Sequence, residues 1–325
     1  MNTTFSASTA HDLPVPDQSQ PHVDATGRVP TSGERALVLG GGGSTGNAWL
    51  IGVIAGLFEA GLDVTGADLT IGTSAGSTAA AQIVGATPAD LFAATGAAAP
   101  AHRPGPVGPD RGRAPASPGA NHLDWINAII AASQDPADLR RRLGAATLDL
   151  EAASDGSWQG QWRAIVAARL PSPDWPDRTV LITAVEAETG EPVVFDRHSG
   201  VDLADAVAAS CSSRLPYRIG DTRYIDGGYR GNAENADLAA GFGRVLVLSP
   251  FGGRSLHPPH WGTHLAAQVE ELRARGSRVE TVFPDTASEH MFGARAMDPS
   301  LRPPAARAGY ELGLARADQL TAFWR

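Results

Sequence analysis

The chain of 325 residues contains no lysine: all 26 basic residues are arginine, and against 35 acids they leave a net charge of −9. Binding a phosphate backbone wants a basic face, so this balance argues against nucleic acid as a main partner. Cysteine is nearly absent too. Cys211 stands alone, so no disulfide can form within the chain, and a reducing cytoplasm is the expected compartment. A lone cysteine is ordinarily a small core residue, and Cys211 is expected to be one. No apolar run approaches the ~20 residues that span a bilayer. The N-terminus has neither the basic n-region nor the apolar h-region of a secretory signal. Any contact with a membrane is therefore expected to be peripheral.

What is present is an ordinary globular composition, 42% hydrophobic and 19% charged. A chain of this length can bury roughly three quarters of its unfolded surface without disulfides. Residues 1–33 are polar and aperiodic and are expected to form a disordered leader, with one domain over 34–325. Order should begin with an apolar strand, Arg35–Leu39, running into Gly40–Gly43. From Gly46 to Ala60 the chain is apolar almost all round, which predicts a buried helix, with Gly52 and Gly56 suited to close packing against a sheet. A second strand at Leu69–Ile71, a tight turn and an Ala-rich helix from Ala75 to Gly85 complete an α/β opening with parallel strands. Residues 86–176 are expected to be a helical insertion over the sheet, with the Ala/Pro/Gly-crowded stretch 97–120 as a candidate lid. Further strands are expected at 179–187, 192–196, 223–226, 244–248 and 279–283, and a closing helix over 304–323.

Three short patterns carry chemistry. Gly72-Thr73-Ser74-Ala75-Gly76 has the form G-x-S-x-G, in which glycines two before and two after a serine let a strand turn sharply into a helix. That turn lifts the Ser74 hydroxyl to a helix N-terminus, where developing negative charge is favoured. Gly40–Gly43, followed by Ser44-Thr45-Gly46, is a second strand-to-helix turn with its backbone N–H groups open, as an oxyanion hole requires. Gly41, Gly43 and Gly46 also satisfy G-x-G-x-x-G, but a dinucleotide site expects an acid at the end of the next strand, and that strand ends in Gly72-Thr73-Ser74. A phosphate-binding P-loop is excluded by the missing lysine. Asp226-Gly227-Gly228 supplies an acid after a strand-like stretch.

In this order the three patterns resemble the patatin-like phospholipases, a family built on G-G-G-x-[RK]-G, then G-x-S-x-G, then a late D-G-[GA]. The similarity runs from about Ala36 to Asp237, is poor over 86–176 and is loose beyond 250. It implies a three-layer α/β fold with a central, mostly parallel sheet, and a metal-independent, cofactor-free acyl hydrolase. Ser74 would be the nucleophile, Asp226 the proton acceptor, and the amides of Gly41, Gly42 and Gly43 the oxyanion hole. Lipid or another acyl ester would be the substrate. Thr45 departs from the family, standing where Arg or Lys is usual, so a cationic contact beside the site is missing. The small-residue segment Ala209–Pro216 also resembles one that precedes the family's Asp strand.

Two other readings remain open. A Ser-His-Asp hydrolase shares the elbow and needs a late histidine, for which His257, His260, His264 and His290 are available. A non-catalytic binding module on the same fold would account for Thr45 and the divergent insertion. Arg140-Arg141-Arg142 reads as a solvated helix face rather than a lipid-binding patch.

Overall fold

The computed structural model describes residues 23–96 and 118–325. The first strand, β1 (Gly33–Leu39), leads through the glycine turn into α1 (Gly43–Glu59); β2 (Leu69–Gly72) leads into α2 (Ala75–Ile83) and α3 (Pro88–Gly96). After α4 (Pro118–Ala132), α5 (Pro136–Ala152) and α6 (Trp158–Ala167) come β3 (Thr179–Glu186), β4 (Pro192–Phe195), α7 (Leu203–Ser210), β5 (Tyr217–Ile219) and β6 (Thr222–Asp226). The chain closes with β7 (Phe242–Leu248), α8 (Leu265–Ala274), β8 (Arg278–Val282) and α9 (Arg302–Trp324). β3, β2, β1, β7 and β8 pair in parallel; β4, β5 and β6 add antiparallel pairs. No helix among the described residues is long and apolar enough to cross a membrane.

Alternation along the strands builds two cores, one on each face of the sheet. Leu37 and Leu39 of β1 face α1, α2, α7 and α9, while Ala36 and Val38 face α8 and the turn around Ala236–Ala239. The result is an α/β fold of three layers, as expected. Gly52 and Gly56 correct one expectation. They face α9, not the sheet: a Cβ on Gly52 would stand 2.0 Å from the Ala306 carbonyl oxygen, and one on Gly56 2.2 Å from that of Tyr310. Gly309 and Gly313 of α9 answer them, so the two helices touch backbone to backbone and only glycine fits.

The expected leader over 1–33 is corrected in its last part, where residues 23–33 include a 3-10 turn at Thr26–Arg28 and the start of β1. Residues 1–22 lie outside the described residues, but Ala25 is fully buried and its N–H bonds the Val194 carbonyl at 2.7 Å. Asp24 accepts the Val194 N–H at 2.9 Å, and Arg28 pairs with Asp196. This segment covers the outer edge of β4, satisfying backbone groups that an open sheet edge would expose.

Of the expected lid, 97–117 lies outside the described residues, and 118–120 begins α4. The helices of 86–176 do not form one body. Phe92 of α3 stacks on Tyr310 of α9 with ring centroids 4.7 Å apart. Ile130 of α4 and Leu139 and Leu143 of α5 share a small core with Val185 and Ile225, over the end of β3 and β6. α6 leans on α7, where the Trp162 Nε1–H donates to the Ala208 carbonyl at 3.1 Å.

Candidate active site

Strand pairing brings the serine and the aspartate together. Ile182 of β3 pairs with Gly72 on one side and Phe195 on the other; Ala184 pairs with Asp226 and Val193. β4 therefore occupies one edge of β3, and β2 and β6 share the opposite edge. β2 runs parallel to β3 and β6 antiparallel, so their C-terminal ends meet head-on two residues apart along β3. Ser74 follows one end and Asp226 is the other.

Ser74 lies at φ 52° and ψ −116°, a left-handed conformation that costs a non-glycine residue about 1–3 kcal/mol. It is the only position from Leu69 to Ala81 that is not buried. The flanking glycines are required by contact. A Cβ on Gly72 would lie 2.6 Å from Ser77 Cα, and one on Gly76 1.9 Å from the Leu39 carbonyl oxygen. The spacing read from the sequence is thus a steric fact of the turn.

The Ser74 hydroxyl donates to Asp226 Oδ2 at 2.9 Å, and Asp226 Oδ1 accepts the Gly228 N–H at 2.8 Å. Burial pushes the Asp226 carboxyl up to about 6; the Gly228 N–H and the Ser74 hydroxyl oppose that rise only in part. No histidine among the described residues bonds either group. The His257 Nδ1 pairs with the Thr263 hydroxyl, His264 Nε2 with the His257 carbonyl and His290 Nδ1 with the Ala287 carbonyl. His257 borders the same cavity as Ser74, and burial with His264 nearby pushes it down to about 4, leaving it neutral.

The glycine turn lies beside this pair. A Cβ on Gly41 would be 3.5 Å from Ser74 Cβ. Its amide, however, donates to the Ala233 carbonyl at 2.7 Å, which corrects the expectation of three free donors. Among the described residues the amides of Gly42 and Gly43 have no partner, nor has that of Ala75, the first residue of α2. Gly42 and Gly43 must be glycine because Pro250 and Ala296 press on them: added Cβ atoms would meet Pro250 Cβ at 2.6 Å and the Ala296 carbonyl at 2.9 Å. Thr45 is fully buried and donates to the Met291 carbonyl at 3.0 Å, so its side chain points away from solvent, as a cation there would not. A cation nevertheless reaches this helix end from α9: Arg302 donates to the Ser44 carbonyl at 2.8 Å.

Sequence reasoning passed over Asn235. It is fully buried at φ 54°, and its Nδ2 reaches the Thr73 hydroxyl at 3.0 Å, the Thr183 hydroxyl at 3.3 Å and the Gly227 carbonyl at 2.9 Å. One amide thereby ties the elbow, β3 and the residue after Asp226. An Asn in a turn carries no local signal of such a role.

Ser74, Asp226, Gly42 and Gly43 open onto a cavity of about 320 Å³, within the range of small-molecule sites. Its far wall is apolar, built by Ile126, Ile130, Leu139, Leu143 and Trp162 of α4, α5 and α6.

No protein-family model matches the chain, and no curated protein matches it. Among solved structures it is similar to VipD from Legionella pneumophila, at 14% identity and a TM-score of 0.40, over 89% of this chain and 67% of that one. It is also similar to the type III effector protein ExoU, at 18% identity and a TM-score of 0.38, over 89% of this chain and 53% of that one. The chain thus spans about two thirds of the first and about half of the second. Likenesses of this size carry no functional weight.

Proposed function

We propose that this chain is a patatin-like serine acyl hydrolase that cleaves carboxylic esters of lipids with a Ser74–Asp226 dyad. The observation that carries the proposal is the direct 2.9 Å hydrogen bond from the Ser74 hydroxyl to a buried carboxylate, at a strained elbow facing an apolar cavity.

A free aspartate is a weak base, near pKa 3.9. Burial that lifts Asp226 to about 6 brings it closer to the range in which a carboxylate can accept a serine proton while still ionised at neutral pH. Ser74 Oγ attacks the ester carbonyl carbon as its proton passes to Asp226. The resulting oxyanion is received by the free amides of Gly42 and Gly43, with Ala75 as a further donor at the start of α2. Collapse expels the alcohol, which takes the proton back from Asp226 and leaves the acyl group on Ser74. Water, deprotonated by Asp226, then attacks the acyl-enzyme; collapse breaks the bond to Ser74 Oγ, which takes that proton back from Asp226, and the acid is released. An alcohol in place of that water would turn the same steps into acyl transfer. The apolar wall of α4–α6 suits an acyl chain. Neither metal nor cofactor enters these steps.

The test is labelling with a fluorophosphonate probe, read by intact mass and peptide mapping. A single adduct on Ser74 is expected, absent in Ser74→Ala and at least about 100-fold slower in Asp226→Asn. An adduct elsewhere, or an Asp226→Asn variant that labels at the wild-type rate, would overturn the dyad.

A further inference from the structure

The proposed dyad lacks a histidine to orient its base, so something else must hold the serine and the aspartate in register. Three consecutive residues at the end of α7 touch both. Ser210 Oγ accepts the Ser74 N–H at 2.9 Å. The Cys211 thiol donates to the Ser74 carbonyl at 3.1 Å, and the Ser212 carbonyl accepts the Asp226 N–H at 2.9 Å.

We infer that Ser210–Ser212 is the positioning element of this site, with Ser210 its principal side chain. The inference rests on the dyad reading. At φ 52°, Ser74 is outside both regular ladders: β2 has ended at Gly72, and α2 begins at Ala75. Its amide therefore needs an acceptor from elsewhere, and leaving it buried and unpaired would cost about 1–3 kcal/mol. Ser210, itself fully buried, supplies one. The strained backbone would otherwise relax and swing the hydroxyl off Asp226, and a misplacement near 1 Å costs about 100-fold in rate. Because the Ser212 carbonyl holds Asp226 from the same helix end, the distance between nucleophile and base is set within a span of three residues. That helix end is rigid: Ala206 to Ser210 are buried, and the Ala208 carbonyl accepts from both the Ser212 hydroxyl, at 2.7 Å, and Trp162 of the cavity wall. Cys211 acts here as a hydrogen-bond donor. Burial and nearby Asp226 push its thiol up to about 11, away from thiolate chemistry.

The experiment compares Ser210→Ala with Ser199→Ala in the full chain. Ser199 is equally buried but bonds Arg28 and Asp196 and does not border the cavity. Both variants should lose thermal stability. Only Ser210→Ala should lower kcat on a soluble short-chain ester, and the second-order rate of fluorophosphonate labelling, by about 10–100-fold, with KM within twofold of wild type. Ser210→Thr, which keeps the hydroxyl, should restore most of that rate. Should its added methyl prevent folding, Cys211→Ala replaces it, with an expected loss of a few fold in kcat alone. Wild-type kcat in Ser210→Ala would overturn the inference. So would a loss that Ser199→Ala shares, or one that falls on KM. Ser74→Ala is run beside them: if it still labels, the dyad fails and takes the positioning role with it, whereas silent Ser74→Ala with fully active Ser210→Ala sinks only the latter.

Discussion

The floor and the wall of the cavity are built by opposite rules. The floor consists of strand ends and turns, at Gly40–Gly43, Gly72–Gly76 and Asp226–Gly228, where almost every atom has a close neighbour. Gly76 leaves 1.9 Å for a Cβ, and Asp226 is held by an amide and a hydroxyl on its two oxygens. The wall is a set of helices, α4 to α6, whose apolar side chains, Trp162 with its bond to Ala208 apart, meet the cavity with no polar constraint on their identity. Leu139 and Leu143 need only be apolar and of suitable volume. Under the proposed function, the comparison implies that chemistry and substrate choice are separable: the close-packed floor leaves little room for substitution, while the wall can be re-cut.

Four substitutions or conditions would break or sharpen this contrast. The largest effect is expected from Asp226→Asn, which should lower kcat about 10³-fold or more on any ester. Because Asn can still accept the Gly228 N–H through its Oδ1 and can donate through its Nδ2 to the Ser74 hydroxyl oxygen, without a buried charge, the same variant should melt higher than wild type at pH 8, which differential scanning calorimetry will read; a lower Tm would contradict the account of Asp226. Next, Gly42→Ala should cost about 100-fold in kcat, since its Cβ would strike Pro250 at 2.6 Å and turn a free amide out of line. Steady-state kinetics showing less than a threefold loss would remove Gly42 from the oxyanion hole. On the wall, Ile126→Ala should shift kcat/KM between short and long acyl esters by about tenfold while leaving chemistry on the shortest ester largely intact, as a chain-length series will show. Equal losses at every length would mean that wall and floor are not separable.

The smallest effect is pH-dependent and opposes activity to stability. Asp226, raised to about 6, must be ionised to act, so kcat/KM should fall about tenfold per unit as pH drops below 6. Glu234, buried behind Gly40 and bonded only by the Ser249 hydroxyl and backbone, is raised to about 7 by burial. In the folded protein both carboxyls bind protons that the unfolded chain has already released. Stability is then fully present below about pH 4 for these two groups and is lost as pH rises through 6 and 7, by about 3 kcal/mol each. Tm measured between pH 5 and 8 should fall with rising pH, and by less in Glu234→Gln. A Tm that climbs over that interval would refute the assignment.

Much of the floor was legible because its constraints are local. G-x-S-x-G specifies a turn within five residues, and the two glycines turned out to be sterically obligatory. The four-glycine turn was legible as a turn, but not which amides remain free, since Gly41 is engaged by Ala233, nearly two hundred residues away in the chain. Asn235 was invisible for the same reason, and Ser210 was legible only as one member of the small-residue segment Ala209–Pro216. Neither has a particular role until the fold sets it against Thr73 or Ser74. The destination of Gly52 and Gly56 was misread because a small residue declares that something comes close, not what. The placement of residues 24–28 was missed because it comes from β4, not from any pattern of their own.

The amino-acid sequence by itself determined the strand–turn–helix opening and the place of the elbow, and the family resemblance alone implied that Asp226 would meet Ser74 there. Periodicity and glycine spacing are properties of neighbouring residues, so they survive without a fold. Tertiary structure alone decided that β2 and β6 abut on one edge of β3, that a single helix end braces both Ser74 and Asp226, and that Asp226 is buried enough to become a stronger base. Each depends on residues far apart in the chain being packed together, and desolvation belongs to a packed site rather than to a residue type.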